Sequence, residues 1–246
     1  MIFAAMAGIN TFATGGIGGV HRGAQRTFDI SADMQELGRT SVAVVASGCK
    51  SILDIPLTLE YLETMGVTVV GYKTDEFPSF FARTSGHMVD YRADNGTEVA
   101  KMLAAKRALN IPGGLLVCNP ILEKDALDFH EMDRMINEAC EEAERDGVGG
   151  KELTPYLLEA VVNKSEGRSQ LANQALIENN VSAAGDIAVA MAEQGLKKAA
   201  ALMQKCQSRR AKCPAAFLCM QLCFALSFGL LSGIQGSRQV PQQARP

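Results

Sequence analysis

The residues best suited to chemistry crowd into one stretch of the chain. Phe12-Ala-Thr-Gly-Gly-Ile-Gly-Gly-Val-His-Arg-Gly23 is dense in glycine, Phe28-Asp-Ile-Ser-Ala-Asp33 carries two carboxylates, and Val44-Val-Ala-Ser-Gly-Cys-Lys50 ends on a lysine. Successive backbone N–H groups in a glycine-rich turn bind anions. Thr14, His21 and Arg22 around this turn favour an anionic ligand over a plain structural loop. Neither standard nucleotide template fits. A Gly-x-Gly-x-x-Gly pattern counted from Gly16 meets His21 where glycine is required, and a Walker pattern counted from Gly18 reaches Gly23 but then finds Ala24 in place of lysine. A dinucleotide or nucleoside triphosphate is therefore not expected.

Asp29 and Asp33, four residues apart, suit a hard divalent cation that keeps most of its water and takes one or two protein carboxylates. The same spacing also suits solvated or helix-capping carboxylates, and the residues alone leave both readings open. Lys50 directly follows an apolar stretch. Desolvation there would lower its pKa and leave a neutral amine able to attack a carbonyl; a lysine that snorkels to the surface or anchors a phosphate is the alternative. His87 and His130 stand in polar surroundings and read as surface residues.

The elements that must position these groups alternate. Ile9 to Ala13 reads as a short strand, Asp33 to Leu37 as a short helix capped by Ser31 or Asp33 with Glu36 in capping-box position, and Ser41 to Ala46 as a strand buried on both faces. A helix from Ser51, bent or restarted at Pro56, ends at Gly66 before the strand Val67 to Tyr72. Phe77 to Gly86 reads as a loop with aromatics packed beneath it and Arg83, Thr84 and Ser85 available above. The helix Thr97 to Leu109 then leads to the strand Gly113 to Cys118 and Asn119. Strand, loop and helix repeat, which predicts an α/β class: a layered α/β/α fold with a central, largely parallel or mixed sheet and its ligand outside the carboxyl ends of the strands. Later helices are expected over Glu131 to Asp146, Thr154 to Val162, Ser169 to Glu178 and from Ser182 onward, covering the sheet.

Composition narrows the function. A net charge of −3 over 246 residues gives no basic footprint for nucleic acid. The seven cysteines form no paired Cys-x-x-Cys framework, so zinc is not indicated and reduced thiols in a cytoplasmic setting are expected. Met1-Ile-Phe-Ala-Ala-Met-Ala-Gly lacks the basic start and cleavage site of a signal peptide. Residues 1–205 read as one domain. Residues 206–246 read as a divergent tail, with an apolar run from Ala215 to Leu231 and a Gln, Arg and Pro end of disordered composition. A membrane span, a core-packing helix and a replaced C-terminus are the three readings of that run, the third being preferred over membrane insertion.

Taken together and in order, Ala13-Thr-Gly-Gly-Ile-Gly-Gly-Val-His-Arg-Gly23, Phe28 to Asp33, Gly48-Cys-Lys-Ser-Ile-Leu-Asp54, Thr64-Met-Gly-Val67, Gly71-Tyr72, Asn119-Pro120, Gly150-Lys-Glu-Leu-Thr-Pro155 and Asn179-Asn180 closely resemble the pseudouridine-5′-phosphate glycosidase family, which also contains the indigoidine-cluster A proteins. The resemblance covers Met1 to about Ala192. It implies a manganese-dependent, trimeric enzyme that reversibly splits the C–C glycosidic bond of pseudouridine 5′-phosphate into uracil and ribose 5-phosphate. By resemblance Lys50 matches the lysine that forms a Schiff base with the ring-opened sugar, Asp29 the metal ligand, and Ser31, Ala32 and Asp33 the substrate-contacting segment. Asn173 matches a supporting amide, and His21 is a candidate ligand contact by its place in the loop.

The resemblance also implies what stands outside the match. Family members carry an upstream segment with a general-acid glutamate, a second, substrate-binding lysine and the first part of the sheet. The expectation is thus a fold incomplete at its N-terminus, with an unpaired strand edge and doubtful turnover. A sugar-phosphate-binding or regulatory fragment of the same family is the alternative, and a mitochondrial address the alternative to a cytoplasmic one. After Gln194 the tail leaves the family pattern.

Overall fold

The computed structural model describes residues 1–210. Its strands in chain order are β1 (Thr11–Ala13), β2 (Val20–His21), β3 (Ala43–Ala46), β4 (Leu53–Asp54), β5 (Thr68–Tyr72), β6 (Tyr91–Ala93) and β7 (Leu115–Cys118). Its helices are α1 (Ile2–Met6), α2 (Ala24–Thr27), α3 (Asp33–Leu37), α4 (Ile55–Thr64), α5 (Gly96–Ala108), α6 (Phe129–Arg145), α7 (Leu153–Lys164) and α8 (Arg168–Arg210). Five strands pair in parallel in the order β1-β3-β7-β5-β6, and β2 pairs antiparallel with β4. This is the layered α/β fold that the alternation of elements predicts.

The two faces of the sheet follow from the side-chain period of two. Val44, Ala46, Val69, Leu116 and Cys118 point to one face, where Met34 and Leu37 of α3, Leu62 of α4, Ile136 of α6 and Leu157 of α7 cover them. Ala43, Val45, Val70, Leu115 and Val117 point to the other, against Val99 and Leu103 of α5 and Ala183 and Ile187 of α8. Each fully buried Leu, Ile or Val contributes about 1.5–3 kcal/mol, so the uninterrupted apolar strands β3 and β7 anchor both layers. Register is fixed accordingly: Val44 lies opposite Leu116, and Val45 opposite Val117.

Several local expectations change. Of the two alternatives at Pro56, the helix starts there and is not bent there: α4 begins at Ile55, and Ser51 lies outside it. Pro56 stands in the first turn of α4, where a proline lacks nothing, and Asp54 caps that turn by accepting Leu57 N–H at 3.0 Å. Ser31 Oγ accepts Asp33 N–H at 3.2 Å near the start of α3. Asp33 and Glu36, however, are diverted from capping, the first to Gly18 and the second to Thr40. The two helices expected over Ser169 to Glu178 and from Ser182 are one, α8. Asn costs a helix interior under about 0.7 kcal/mol, and Asn180 recovers this through bonds to the strand ends. Strand β6 was not foreseen, because its exposed Tyr91 and Arg92 lack an apolar alternation.

The chain divides into two compact units, Met1–Gln194 and Gly195–Pro246. No described helix is long and apolar enough to cross a membrane. The apolar run 215–231 and the end of the chain lie outside the described residues.

Candidate active site

Beyond Ala13 the chain runs over the C-terminal tip of β3 and is laced to it. Thr14 N–H donates to Val45 O at 3.0 Å, Ser47 N–H to Gly15 O at 2.8 Å, Ile17 N–H to Gly48 O at 3.0 Å and Lys50 N–H to Ile17 O at 3.0 Å. Close approach explains the glycines here. A Cβ on Gly16 would lie 2.6 Å from the Phe80 ring, and one on Gly18 would lie 2.2 Å from Ser31 Oγ.

The lacing also occupies much of the loop's donor capacity. Gly18 N–H is taken by Asp33 Oδ2 at 2.8 Å, Val20 N–H by Thr58 Oγ1 at 3.0 Å and His21 N–H by Asp29 O at 3.0 Å. Arg22 turns away toward α6, donating to Asp133 Oδ1 at 2.8 Å, to Asn137 and to Ser51 O at 3.4 Å. These donors serve protein acceptors, so they hold the loop's shape and do not form an open phosphate cradle.

Lys50 follows β3 after Ser47, Gly48 and Cys49 and is half-buried. It lines a cavity of about 310 Å³ together with Thr14, Gly15, Gly16, Phe80 and Asn173. Phe80 and Phe81, packed edge to face with centroids 4.5 Å apart, give that cavity an apolar wall. Asn173 reaches in from α8; its Oδ1 lies 3.2 Å from where a Gly15 Cβ would stand. Lys50 and Asn173, distant in sequence, therefore share one cavity. Among the described residues that line it, none carries a carboxyl group.

Asp33 lines a neighbouring cavity of about 370 Å³ that shares Thr14 and Gly16 as wall residues. Ser31 packs on Gly18, and Ala32, at the start of α3, is exposed. Asp29 and His21 face each other across the loop, with His21 Nδ1 4.0 Å from Asp29 Oδ2. The Val20–Ile30 bridge separates this pair from Asp33, so Asp29 and Asp33 have different neighbours in spite of their spacing. Among the described residues no three His, Cys, Asp or Glu side chains cluster around one point. Asp29 fits a water-rich divalent site with a single protein carboxylate: it accepts no side-chain hydrogen bond among the described residues and is about one-third exposed at 37%. His130 is exposed and His87 half-buried.

The thiols nearest the site are inert. Burial pushes the Cys49 thiol up to about 12 and the Cys118 thiol well above its ordinary value, so neither offers a thiolate. Lys50 is the lysine among the described residues that line the cavity. A primary amine in an apolar-walled cavity with a carboxamide and the Thr14 hydroxyl beside it can add to an aldehyde and hold sugar hydroxyls.

The sequence places Asn119, like Gly15 and Lys50, at a strand's carboxyl end and packs the aromatics of the 77–86 loop beneath it, but it does not single out Ser47 and gives Asn180 only within a motif. Asn180 Oδ1 accepts Asn119 Nδ2–H at 3.0 Å, and its Nδ2 donates to Thr14 O at 2.8 Å. The available signal was a polar side chain at a strand's carboxyl end, Asn119, and another inside an apolar helical stretch, Asn180.

The family model described as Indigoidine synthase A like protein matches residues 1–190. The pseudouridine-5′-phosphate glycosidase of Sorangium cellulosum (strain So ce56) is 55% identical over 197 residues, covering 80% of this chain and 62% of that protein. That of Solibacter usitatus (strain Ellin6076) is 54% identical over 188 residues, covering 76% and 63%. Among solved structures, the prealnumycin C-glycosynthase AlnA in complex with ribulose 5-phosphate superposes with a TM-score of 0.76 at 38% identity, covering 80% of this chain and 65% of that one. An indigoidine synthase A-like protein from Thermotoga maritima MSB8 gives 0.70 at 40% identity, covering 76% and 61%. The chain thus spans about 62% of the length of the curated relatives it matches.

Proposed function

The chain belongs to the Indigoidine synthase A like protein family, and on that premise we propose that it cleaves the C–C glycosidic bond of pseudouridine 5′-phosphate, with water, to uracil and ribose 5-phosphate through an imine on Lys50. The observation that carries this reading is the placement of Lys50 in a walled cavity at the carboxyl ends of the parallel strands, beside Asn173. The names of the relatives support the substrate class, and AlnA, solved with ribulose 5-phosphate, supports a phosphorylated pentose.

The chemistry follows from the bond to be broken. A C–C glycosidic bond has no heteroatom to protonate at the leaving group, so its electrons must depart with uracil C5 and an electron donor must stand at C1′ to replace them. In the proposed course the C1′–O4′ bond breaks as the Lys50 nitrogen bonds to C1′, and the proton that nitrogen gives up passes to O4′. Uracil C5 takes a proton and departs as the C1′–C5 bond breaks, and the nitrogen lone pair becomes the C1′=N bond. Water then adds to this iminium, releasing ribose 5-phosphate and the free amine. Asn173 would hold a sugar hydroxyl, and the segment Ser31, Ala32 and Asp33 would contact the substrate. Asp29 is the proposed ligand for Mn²⁺, which when bound supplies fixed positive charge for substrate oxygens.

The absence of a carboxyl group from the described lining of the Lys50 cavity favours a second reading, in which the chain binds the sugar phosphate without turning over the nucleotide. A proton donor for C5 contributes typically about 10²–10⁴-fold. One experiment separates the two: pseudouridine 5′-phosphate is incubated with the chain and uracil release measured, while ribose 5-phosphate with cyanoborohydride is used to trap the imine as a secondary amine. Uracil release together with a Lys50 adduct supports the glycosidase, and an adduct without release supports the binding protein. If Lys50→Ala gives the same adduct yield as the unaltered chain, the Schiff-base assignment is wrong.

A further inference from the structure

We infer that Asn180 is a positioning residue for Lys50, fixing the backbone wall of the Lys50 cavity from the far side of the sheet edge; the inference rests on the proposed role of Lys50. Early in α8, Ala172 and Leu176 pack with the core of one face of the sheet. Further along, Ala183 and Ile187 pack on the other face. Between them the helix passes the carboxyl ends of the strands, where it meets backbone carbonyls in place of apolar side chains. Asn180 sits at that crossing and is fully buried.

Its carboxamide joins three strand ends. Nδ2 donates to Thr14 O at 2.8 Å and to Gly15 O at 3.2 Å, just beyond β1. Oδ1 accepts from Asn119 Nδ2 at 3.0 Å, just beyond β7. Ser47 Oγ, just beyond β3, lies 3.1 Å from Nδ2 and 3.3 Å from Oδ1. Thr14 and Gly15 are walls of the Lys50 cavity, and Ser47 begins the turn that ends at Lys50. The amide therefore sets the distance between the glycine loop and the lysine-bearing turn at both of their roots. Only a side chain with two donor hydrogens and an acceptor in one plane meets these partners. Alanine would leave Thr14 O without this donor and Gly15 O with Ser47 N–H alone, and a carboxylate would face both carbonyls with like charge.

A merely structural Asn180 would lower stability and leave each folded molecule as reactive as before. A positioning role predicts a loss per folded molecule, because misplacing a reacting group by about 1 Å can cost on the order of 10²-fold. The full chain, Asn180→Ala and Asn180→Asp are compared for the rate of Lys50 adduct formation with ribose 5-phosphate and cyanoborohydride, normalised to the folded fraction from near-UV circular dichroism. The saturating rate of Asn180→Ala is expected to fall about tenfold or more, with the half-saturating concentration moving less. Asn180→Asp should recover relative to the unaltered chain as pH falls, since a neutral carboxyl regains one donor and keeps one acceptor; the partners of residue 180 are carbonyls, a hydroxyl and an amide, none of which titrates. Hydrogen exchange is read in parallel at the Ile17 and Lys50 amides, which bond across the loop, and should quicken in Asn180→Ala while the β7 amides stay protected. Unchanged trapping per folded molecule together with unchanged exchange at those two amides overturns the inference. If the unaltered chain forms no more adduct than Lys50→Ala, the Schiff-base reading fails by itself, and the exchange rates alone then support or overturn Asn180.

Discussion

Asp33 Oδ2 accepts the backbone N–H of Gly18 at 2.8 Å, so the carboxylate at the start of α3 fastens the glycine loop from outside the sheet. Gly18 is buried, and an N–H left unpaired there costs about 1–3 kcal/mol. Asp33→Ala is expected to lose that amount in urea denaturation. Asp33→Asn keeps an acceptor oxygen and should lose less. Should Asp33→Asn also retain sugar-phosphate trapping while Asp33→Ala does not, the residue acts through the loop; loss in both at preserved stability would assign the carboxylate to the substrate.

Gly48 and Gly66 share a left-handed backbone but not their surroundings. Gly48 has φ of +79° and a Cβ there would lie 2.1 Å from Pro78 O, whereas Gly66 has φ of +67° and nothing within 4 Å. Left-handed strain for an L residue is about 1–2 kcal/mol. Gly66→Ala should lose about that, and Gly48→Ala clearly more, because Pro78 or the turn must move. Since Gly48 O also accepts Ile17 N–H, Gly48→Ala should slow Lys50 trapping and Gly66→Ala should not. Equal urea midpoints for the two variants would refute the packing argument.

These contrasts mark what could be read from the sequence. The strands β3 (Ala-Val-Val-Ala) and β7 (Leu-Leu-Val-Cys) are unbroken apolar runs and β5 carries Val69 and Val70 at its centre, and burial on both faces leaves such a pattern no other use. The class of fold and the carboxyl-end location of Lys50 followed from them. The pairing of Lys50 with Asn173 came only through resemblance, because nothing local tells a helix residue that it will face a strand end so far away in the chain. Asp29 and Asp33 looked like partners at helical spacing, yet the bridge between Val20 and Ile30 gives one to His21 and the other to Gly18. Asn180 was legible as a motif residue but not as a clamp, since its partners come from three separate segments.

Burial makes a prediction about the thiols. Cys49 is raised from its ordinary 9.0 to about 12 by desolvation, and Cys118 is raised by burial with Cys49 beside it. Both stay protonated in the native chain at pH 8. Iodoacetamide followed by peptide mass mapping should leave these two unlabelled in native protein and label them in urea. The sign for stability follows by linkage: above about pH 9 the unfolded chain releases thiol protons that the folded chain keeps, so stability present at neutral pH declines as pH rises toward 12. Rapid native labelling of Cys49 would show that the loop over it opens.

The proposed metal ligand can be tested without turnover. At 4.0 Å, His21 Nδ1 and Asp29 Oδ2 are too far apart for a hydrogen bond, and the carboxylate keeps its lone pairs for another partner. Its side chain is 37% exposed and that of His21 12%, which leaves room for a cation that retains much of its water. A ligand that binds only the folded state stabilises it by about 2.7 kcal/mol at a hundredfold excess over Kd. Mn²⁺ should therefore raise the melting temperature of the full chain, excess chelator should reverse the rise, and Asp29→Asn should blunt it. Asp33→Asn is the control: Asp33 is already engaged by Gly18, so the shift should survive that change. A shift lost in Asp33→Asn but kept in Asp29→Asn would move the metal to the cavity that Asp33 lines, and the role proposed for Asp29 would fall.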